Sequence, residues 1–130
     1  MEIKEFADRF INAEVKFFET GRFEPLEEIE DPNVVLHLSP GDVVGRDAHK
    51  QFNLDLINAT SSAQIQWKYV TGDGNLFALR GKLDLVPKRD VLGLAGVTGK
   101  HISIDFFSLF RVKNGKIVEG WDTTSSLVVS

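Results

Sequence analysis

The sequence predicts one α+β domain in which helices come first and an antiparallel or mixed sheet follows. Apolar residues recur at helical spacing near the N-terminus, and they alternate with polar residues from about residue 63 onward. Helices followed by a run of strands are typical of α+β domains whose helices cover one face of the sheet. We therefore expect a single domain over residues 1–130, in which a long N-terminal helix and two shorter helices wrap a curved sheet. Such a cone has an apolar cavity at its wide end.

The helices are predicted from apolar spacing and from the residues that end a helix. The first covers residues 2–20 and stops at Gly21, a residue suited to a helix C-terminus. A short second helix is expected over residues 23–29, before Pro32, and a third over residues 46–58. The side chains expected to face inward are Ile3, Phe6, Phe10, Glu14, Phe17 and Phe18 on the first helix, and His49, Phe52 and Leu56 on the third.

The strands are predicted from the alternation of apolar and polar side chains. Turns are marked by Pro-Gly-Asp at residues 40–42, Gly-Asp-Gly-Asn at 72–75 and Asn-Gly at 114–115. The loop over residues 87–99 carries three glycines, and loops of this length are often functional. The predicted strands cover residues 34–38, 63–71, 76–86, 100–112 and 117–129.

The composition limits the partners and the chemistry of the chain. A net charge of -4 without a cluster of Lys and Arg argues against nucleic acid or an anionic membrane as the main partner. The absence of cysteine excludes disulfides and thiolate catalysis. The N-terminus lacks the pattern of a secretory signal, and no apolar run approaches the ~20 residues of a membrane span. We therefore expect a cytoplasmic protein.

The C-terminal hairpin carries the most informative motif. Residues 110–122, FRVKNGKIVEGWD, form two strands around an Asn-Gly turn and end in a Trp-Asp pair. This segment is similar to the pattern F/H-R-V-x-D/N-G-K-I-V-E-H-W-D of the SnoaL-like branch of the nuclear transport factor 2-like superfamily, and residues 96–100 resemble its P-T-G-K segment. The resemblance extends over nearly the whole chain in element order. It implies the cone-shaped, cystatin-like α+β fold of that superfamily.

The resemblance implies a function as well as a fold. The superfamily includes polyketide cyclases, steroid isomerases, dehydratases, epoxide hydrolases and non-catalytic binders, so the fold alone does not name the reaction. We expect acid–base chemistry without a cofactor on a hydrophobic carbonyl or polyketide-like compound. By the resemblance, Asp122 is the general acid or base. The alternatives are a small-ligand-binding or accessory protein of the same fold, and a protein-interaction domain whose cone is filled by side chains.

The candidate site residues combine the resemblance with strand alternation. The resemblance turns Asp122, Gly120 and Thr124 inward, and the apolar face of the preceding strand adds Phe106 and Ser108. Two carboxyl groups in an apolar pocket should have raised and separated pKa values, as acid–base catalysis near neutral pH requires. The predicted catalytic residues are Asp122 and Glu14, and the predicted binding residues are Ser108, Phe106, Phe10, Phe17, Leu38, Phe77, Gly120 and Thr124.

The sequence departs from the related enzymes at three positions. Steroid isomerases have their catalytic base where this chain has Leu38, and their catalytic tyrosine falls near Glu14. The SnoaL-like pattern has histidine where this chain has Gly120, which predicts a larger pocket without that proton carrier.

Two further aspartates suggest a different reaction. Lys82-Leu83-Asp84 and the later Asp122 resemble the Arg-x-Asp and second aspartate of limonene epoxide hydrolases. Lysine lacks the planar fork with which arginine holds two carboxylates. Alternation also places Lys82 and Asp84 on the outer face of the sheet, unless a β-bulge reverses it.

The remaining predictions concern metals and partners. His37, His49 and His101 lack metal-ligand spacing, so neither a metal nor a cofactor is expected. The outer face of the sheet should carry several large apolar groups, which favours a homodimer through this convex face. The apolar residues expected on that face are Phe107, Leu109, Ile117 and Trp121.

Overall fold

A computed structural model describes residues 2–130 and contains three helices and six strands. The elements are α1 (Ile3–Thr20), α2 (Glu24–Glu27), β1 (Glu30–Leu38), β2 (Gly41–Val44), α3 (Arg46–Asn58), β3 (Thr60–Asp73), β4 (Leu76–Pro87), β5 (Ile102–Lys113) and β6 (Lys116–Val129). Within these residues, none of the helices has both the length and the apolar composition that crossing a bilayer requires.

All six strands form one mixed sheet in the order β2-β1-β6-β5-β4-β3. β1 and β6 run parallel, and the other neighbouring strands run antiparallel. The α+β class predicted from the sequence is confirmed. Strand β2 was not predicted, because Pro40-Gly41-Asp42 indicated only a turn; in the structure four residues continue past this turn and pair with β1.

Helix α1 lies across β3 and β4 with its aromatic face inward. It ends at Gly21, whose φ of 76° is left-handed and whose amide donates to the Phe17 carbonyl at 2.7 Å. Phe6, Phe10 and Phe17 are buried on this face, and each contributes roughly 2–3 kcal/mol by leaving water. This packing carries Glu14, which lies on the same face, into the interior.

The buried apolar residues form two clusters. One lies between α1 and the sheet and includes Phe10, Leu36 and Phe110. The other lies between the end of α3 and strands β4 and β5, and it includes Leu56 and Phe106. The side chains of both clusters border the space in which the candidate site is found.

The pairing of β6 with β5 skips one residue of β6 at two places. The β5–β6 register skips Val118 between the pairs Arg111–Glu119 and Val112–Ile117. A bulge of this kind turns the next residue to the opposite face, and Ile117 is therefore fully buried instead of lying on the outer face as expected. A second skip, at Ser125, follows Asp122 and leaves its inward orientation unchanged.

Candidate functional site

A cavity of about 90 Å³ lies between the two apolar clusters. α1, α3 and the inner face of the sheet enclose it, and its lining residues are Phe10, Glu14, Phe18, Glu30, Leu36, Leu38, His49, Phe52, Asn53, Leu56, Ile65, Trp67, Leu83, Phe106, Phe110 and Asp122. A second cavity of about 140 Å³ extends toward Leu92 and Thr124. The two cavities have adjoining walls, since both are lined by Leu38, Phe52, Leu56, Leu83, Phe106 and Asp122.

Glu14 projects from the middle of α1 into the inner cavity and is 8% exposed. Burial raises the pKa of its carboxyl group from 4.5 to about 7; the charge of His49 lowers it, and the charges of Glu30 and Asp122 raise it. Its Oε2 has no hydrogen-bond partner in the protein. Near neutral pH, Glu14 is therefore present both as an acid and as a carboxylate.

Asp122 lies on β6 opposite Ser108 of β5 and faces both cavities. Burial raises the pKa of Asp122 from 3.8 to about 6, and this rise is limited by the hydrogen bond that Ser108 Oγ donates to Oδ1 and by the charge of His49. Asp122 is thus mostly ionised at neutral pH, while its weaker hydration makes it a stronger base than a surface aspartate.

Glu30, His49 and Asn53 form a buried polar group that the sequence did not identify as a site. The imidazole Nδ1 of His49 lies 2.7 Å from Glu30 Oε2, an ion-pair distance, although the contact lacks the alignment of an ordinary hydrogen bond. Its Nε2 lies 3.2 Å from Asn53 Nδ2. Burial alone would lower the pKa of His49, but the contact with Glu30 and the charges of Glu30, Glu14 and Asp122 outweigh burial and raise it.

The sequence pattern predicts only part of this buried polar group. His49 and Asn53 are four residues apart on an amphipathic helix, a spacing that places them on one face. Glu30 falls between the predicted second helix (23–29) and the first predicted strand (34–38), whereas in the structure it is the first residue of β1 and is 1% exposed.

Buried polar atoms without a hydrogen-bond partner collect at this cavity. Within residues 2–130 they are Glu14 Oε2, Glu30 Oε1, Trp67 Nε1 and His49 Nδ1, the last of which faces Glu30 Oε2 without the alignment of a hydrogen bond. All four residues line the inner cavity. Buried polar atoms normally find a partner, because leaving one unpaired costs about 1–3 kcal/mol. Their concentration in one place marks the cavity as a site that can bind a polar group.

The structure brings together most of the residues predicted for the site. Asp122, Glu14, Phe10, Leu38 and Phe106 line the inner cavity, and Thr124 lines the second one. Ser108 is 2% exposed and contacts the site through Asp122.

Three predicted binding residues are corrected, because they lie in the packed core and line neither cavity. Phe17 is 0% exposed and packs edge-on against Phe23, about two turns of α1 beyond Phe10. Phe77 is also 0% exposed and stacks on Phe110.

Gly120 is the third of these residues. A Cβ at this position would lie 2.8 Å from the Phe110 ring and 2.9 Å from Leu36. The expectation that Gly120 enlarges the pocket is therefore wrong, because these two side chains occupy the space that a larger residue would need.

The residues of the epoxide hydrolase comparison lie on the other face of the sheet. Lys82 is exposed, and the Asp84 carboxylate lies 3.1 Å from His101 Nε2. Neither residue lines either of the two cavities that Asp122 lines. This placement agrees with strand alternation and separates the two aspartates that such a reaction needs.

The arrangement can transfer protons within an apolar enclosure. Asp122 provides a base, Glu14 provides an acid, and the Trp67 Nε1–H is a further donor in the same wall. Among the described residues, no cluster of three or more His, Asp or Glu side chains is disposed to hold a metal ion.

Comparison with known proteins identifies related sequences and folds. The family model for SnoaL-like polyketide cyclases matches residues 8–127. No curated protein gives a significant match. Three similar solved structures are a SnoaL-like polyketide cyclase from Agrobacterium tumefaciens (16% identity, 93% of this chain and 91% of that chain, TM-score 0.76), TsrD from Streptomyces laurentii (14%, 95% and 87%, TM-score 0.76) and a nuclear transport factor 2-like protein of unknown function from Exiguobacterium (18%, 93% and 98%, TM-score 0.73). At these identities the structures support the fold.

Proposed function

The chain belongs to the SnoaL-like polyketide cyclase family, and we propose that it catalyses cofactor-independent proton transfer on a hydrophobic carbonyl compound. The observation that carries the proposal is the convergence of Glu14, Asp122 and the unpartnered buried atoms on one apolar cavity. A cavity that only held apolar compounds would gain nothing from buried carboxyl groups, which cost stability. Burial costs of this kind are typical of active sites.

The two carboxyl groups have complementary roles. Asp122 removes a proton from the carbon next to the substrate carbonyl, and Glu14 donates its proton to the carbonyl oxygen, which gives an enol. The reverse transfers return the proton to carbon at the same or a conjugated position and restore both carboxyl groups. The Trp67 Nε1–H can donate a second hydrogen bond to the developing negative oxygen.

The surroundings of Asp122 fit the role of a base. The hydrogen bond from Ser108 fixes Oδ1, so that Oδ2 is left for the substrate. Because the walls are apolar, the carboxylate is weakly hydrated, and the proton transfer does not first require the removal of water.

The size of the cavity indicates a small substrate. An apolar cavity of about 150 Å³ in another protein holds benzene, and pockets for drug-sized ligands measure roughly 300–1,000 Å³. Spaces of about 90 and 140 Å³ with adjoining walls favour a compound of one or two rings.

Hydrogen exchange at carbon tests the proposal. The bicyclic ketone indanone, dissolved in D₂O, should exchange its α-hydrogens faster in the presence of the protein, as followed by NMR. The Asp122→Asn variant should lose this acceleration by about 100-fold or more. The Asp84→Asn variant, changed on the outer face, is the matched control and should retain it. Binding of indanone without any accelerated exchange would replace catalysis by a ligand-binding function.

We also propose that two copies associate through the convex face of the sheet. Phe107, Leu109 and Trp121 lie there and are 47%, 39% and 36% exposed. Ile117, which was expected among them, is buried and does not contribute. A cluster of large apolar side chains on one face favours association, because it removes their surface from water.

A further inference from the structure

The proposed proton transfer makes no use of the polar contacts that Glu30 and Asn53 make with His49. All three residues are at most 6% exposed. Both imidazole nitrogens of His49 face these neighbours, Nδ1 toward Glu30 Oε2 at 2.7 Å and Nε2 toward Asn53 Nδ2 at 3.2 Å. His49 therefore has no free nitrogen with which to hydrogen-bond a ligand directly.

The contact between His49 and Asn53 is compatible with two protonation states. When the imidazole is neutral with its proton on Nδ1, Nε2 accepts a hydrogen bond from the Asn53 N–H. When the imidazole carries a second proton, Nε2–H must donate, and only the Asn53 carbonyl oxygen can accept. The two ends of an amide have nearly the same shape, so a half-turn of the amide about χ2 satisfies either state without moving its neighbours.

This half-turn changes what Asn53 offers to the cavity. Asn53 lines the inner cavity, and the end of the amide that does not face His49 is the end that a ligand can contact. We propose that Asn53 is a ligand-recognition residue whose amide orientation is set by the proton on His49. With His49 protonated, Asn53 presents its N–H group and binds a carbonyl oxygen. With His49 neutral, Asn53 presents its own oxygen and binds a hydroxyl group.

The groups around His49 favour its protonated form. Glu30 on β1, Glu14 on α1 and Asp122 on β6 act on it with negative charge. Immediately before α2, the contacting group is the uncharged Phe23 ring, with its centroid 5.6 Å from that of the imidazole. On α3 itself, the Arg46 guanidinium donates to the backbone oxygens of Glu27 and Glu30. β2 and β3, which also pack against α3, add no titratable group that acts on His49.

The proposal names a ligand class for the part of the inner cavity that Asn53 lines. It rests on the proposed function to the extent that the ligand is a carbonyl compound. A ketone oxygen can only accept hydrogen bonds, whereas a hydroxyl group both donates and accepts. Although burial lowers the pKa of His49, the contact with Glu30 and the nearby negative charges raise it above its usual value, which extends the carbonyl-binding state to higher pH. The alcohol gains relative to the ketone at higher pH.

An NMR titration of the whole protein tests the amide orientation. The ring nitrogens of His49 and the side-chain N–H₂ group of Asn53 are followed from pH 5 to pH 10. The Asn53 resonances should shift with the same midpoint as the His49 ring. Asn53 resonances that stay constant while His49 titrates would overturn the proposal, as would a His49 ring that does not titrate in this range.

Binding of indanone and indanol tests the ligand class. In the wild-type protein, the affinity ratio of indanone to indanol should fall roughly fivefold, the equivalent of one hydrogen bond, as the pH rises through the His49 midpoint. In the Asn53→Leu variant the part of this change that follows the His49 midpoint should disappear, whereas any part that follows the ionisation of Glu14 should remain. Asn12→Leu, on the exposed side of α1, is the matched control and should behave as the wild type does.

These measurements separate the ligand class from the reaction. The same pH-dependent ratio in Asn53→Leu and wild type would overturn the role of Asn53, and binding of neither compound would overturn the ligand assignment. Binding with the expected pH dependence but without hydrogen exchange would support the amide orientation and contradict only the proposed catalysis.

Discussion

Replacing Glu14 with glutamine should stabilise the folded protein at pH 8 by about 3 kcal/mol, because the buried carboxylate destabilises the fold. The pKa of Glu14 is about 7 in the folded protein against 4.5 as the reference value. Folding therefore raises the affinity of this group for a proton, and its contribution to stability is largest below pH 4.5. That contribution is lost as the pH rises through 7. The difference of about 2.5 pKa units corresponds to roughly 3.4 kcal/mol at 1.36 kcal/mol per unit.

The magnitude at each pH follows from the same two pKa values. Between the reference pKa and the folded pKa the loss is partial, so at pH 5 the wild-type protein has lost only about 1 kcal/mol. Glutamine has the shape of the protonated glutamic acid and does not titrate. The advantage of Glu14→Gln should therefore grow from about 1 kcal/mol at pH 5 to about 3 kcal/mol at pH 8.

Urea unfolding followed by tryptophan fluorescence measures this difference at several pH values. Glu19→Gln, on the exposed side of the same helix, is the matched control and should stay within about 0.5 kcal/mol of the wild type throughout. An advantage of Glu14→Gln that is the same at pH 5 and pH 8 would refute the reasoning, since it would show that Glu14 does not take up its proton on folding.

Three other predictions concern activity, packing and assembly. The rate of indanone exchange should follow a bell-shaped pH profile that peaks at about pH 6.5. The rate rises as Asp122 ionises near pH 6 and falls as Glu14 ionises near pH 7. A rate that still increases above pH 8 would contradict these roles. Gly120→Ala should lose about 1–3 kcal/mol in thermal unfolding, because the added methyl group overlaps its neighbours, and an unchanged melting temperature would show that they move aside. Leu109→Asp should convert a dimer to a monomer on size-exclusion chromatography, whereas an unchanged elution volume would contradict the convex interface.

Local patterns in the sequence predicted most of the fold. The aromatic spacing of α1 and the end of that helix at Gly21 depend on nearby residues, and so does the alternation of β3 to β5. The bounds of α3 match the predicted range of 46–58. Strand β2 could not be predicted in this way, because its four residues are extended only through their pairing with β1.

The site was harder to predict because it depends on contacts between distant parts of the chain. Asp122 and Glu14 were found through a motif and a helical face. The contact of Glu30 with His49 joins the start of β1 to α3, and neither partner has a local pattern that names the other. The bulge at Val118 likewise depends on the register between β5 and β6, so the burial of Ile117 could not be read from alternation.

The missing histidine of the family pattern has a structural counterpart elsewhere. At position 120, where the pattern has histidine, the chain has glycine, and Phe110 and Leu36 fill the adjacent space. An imidazole nevertheless lines the cavity, because α3 supplies His49 and Glu30 holds it. The charge of His49 acts on both Glu14 and Asp122 and lowers the pKa of each. The loss of histidine from β6 therefore does not argue against proton chemistry here, since a titrating imidazole reaches the same carboxyl groups from a helix.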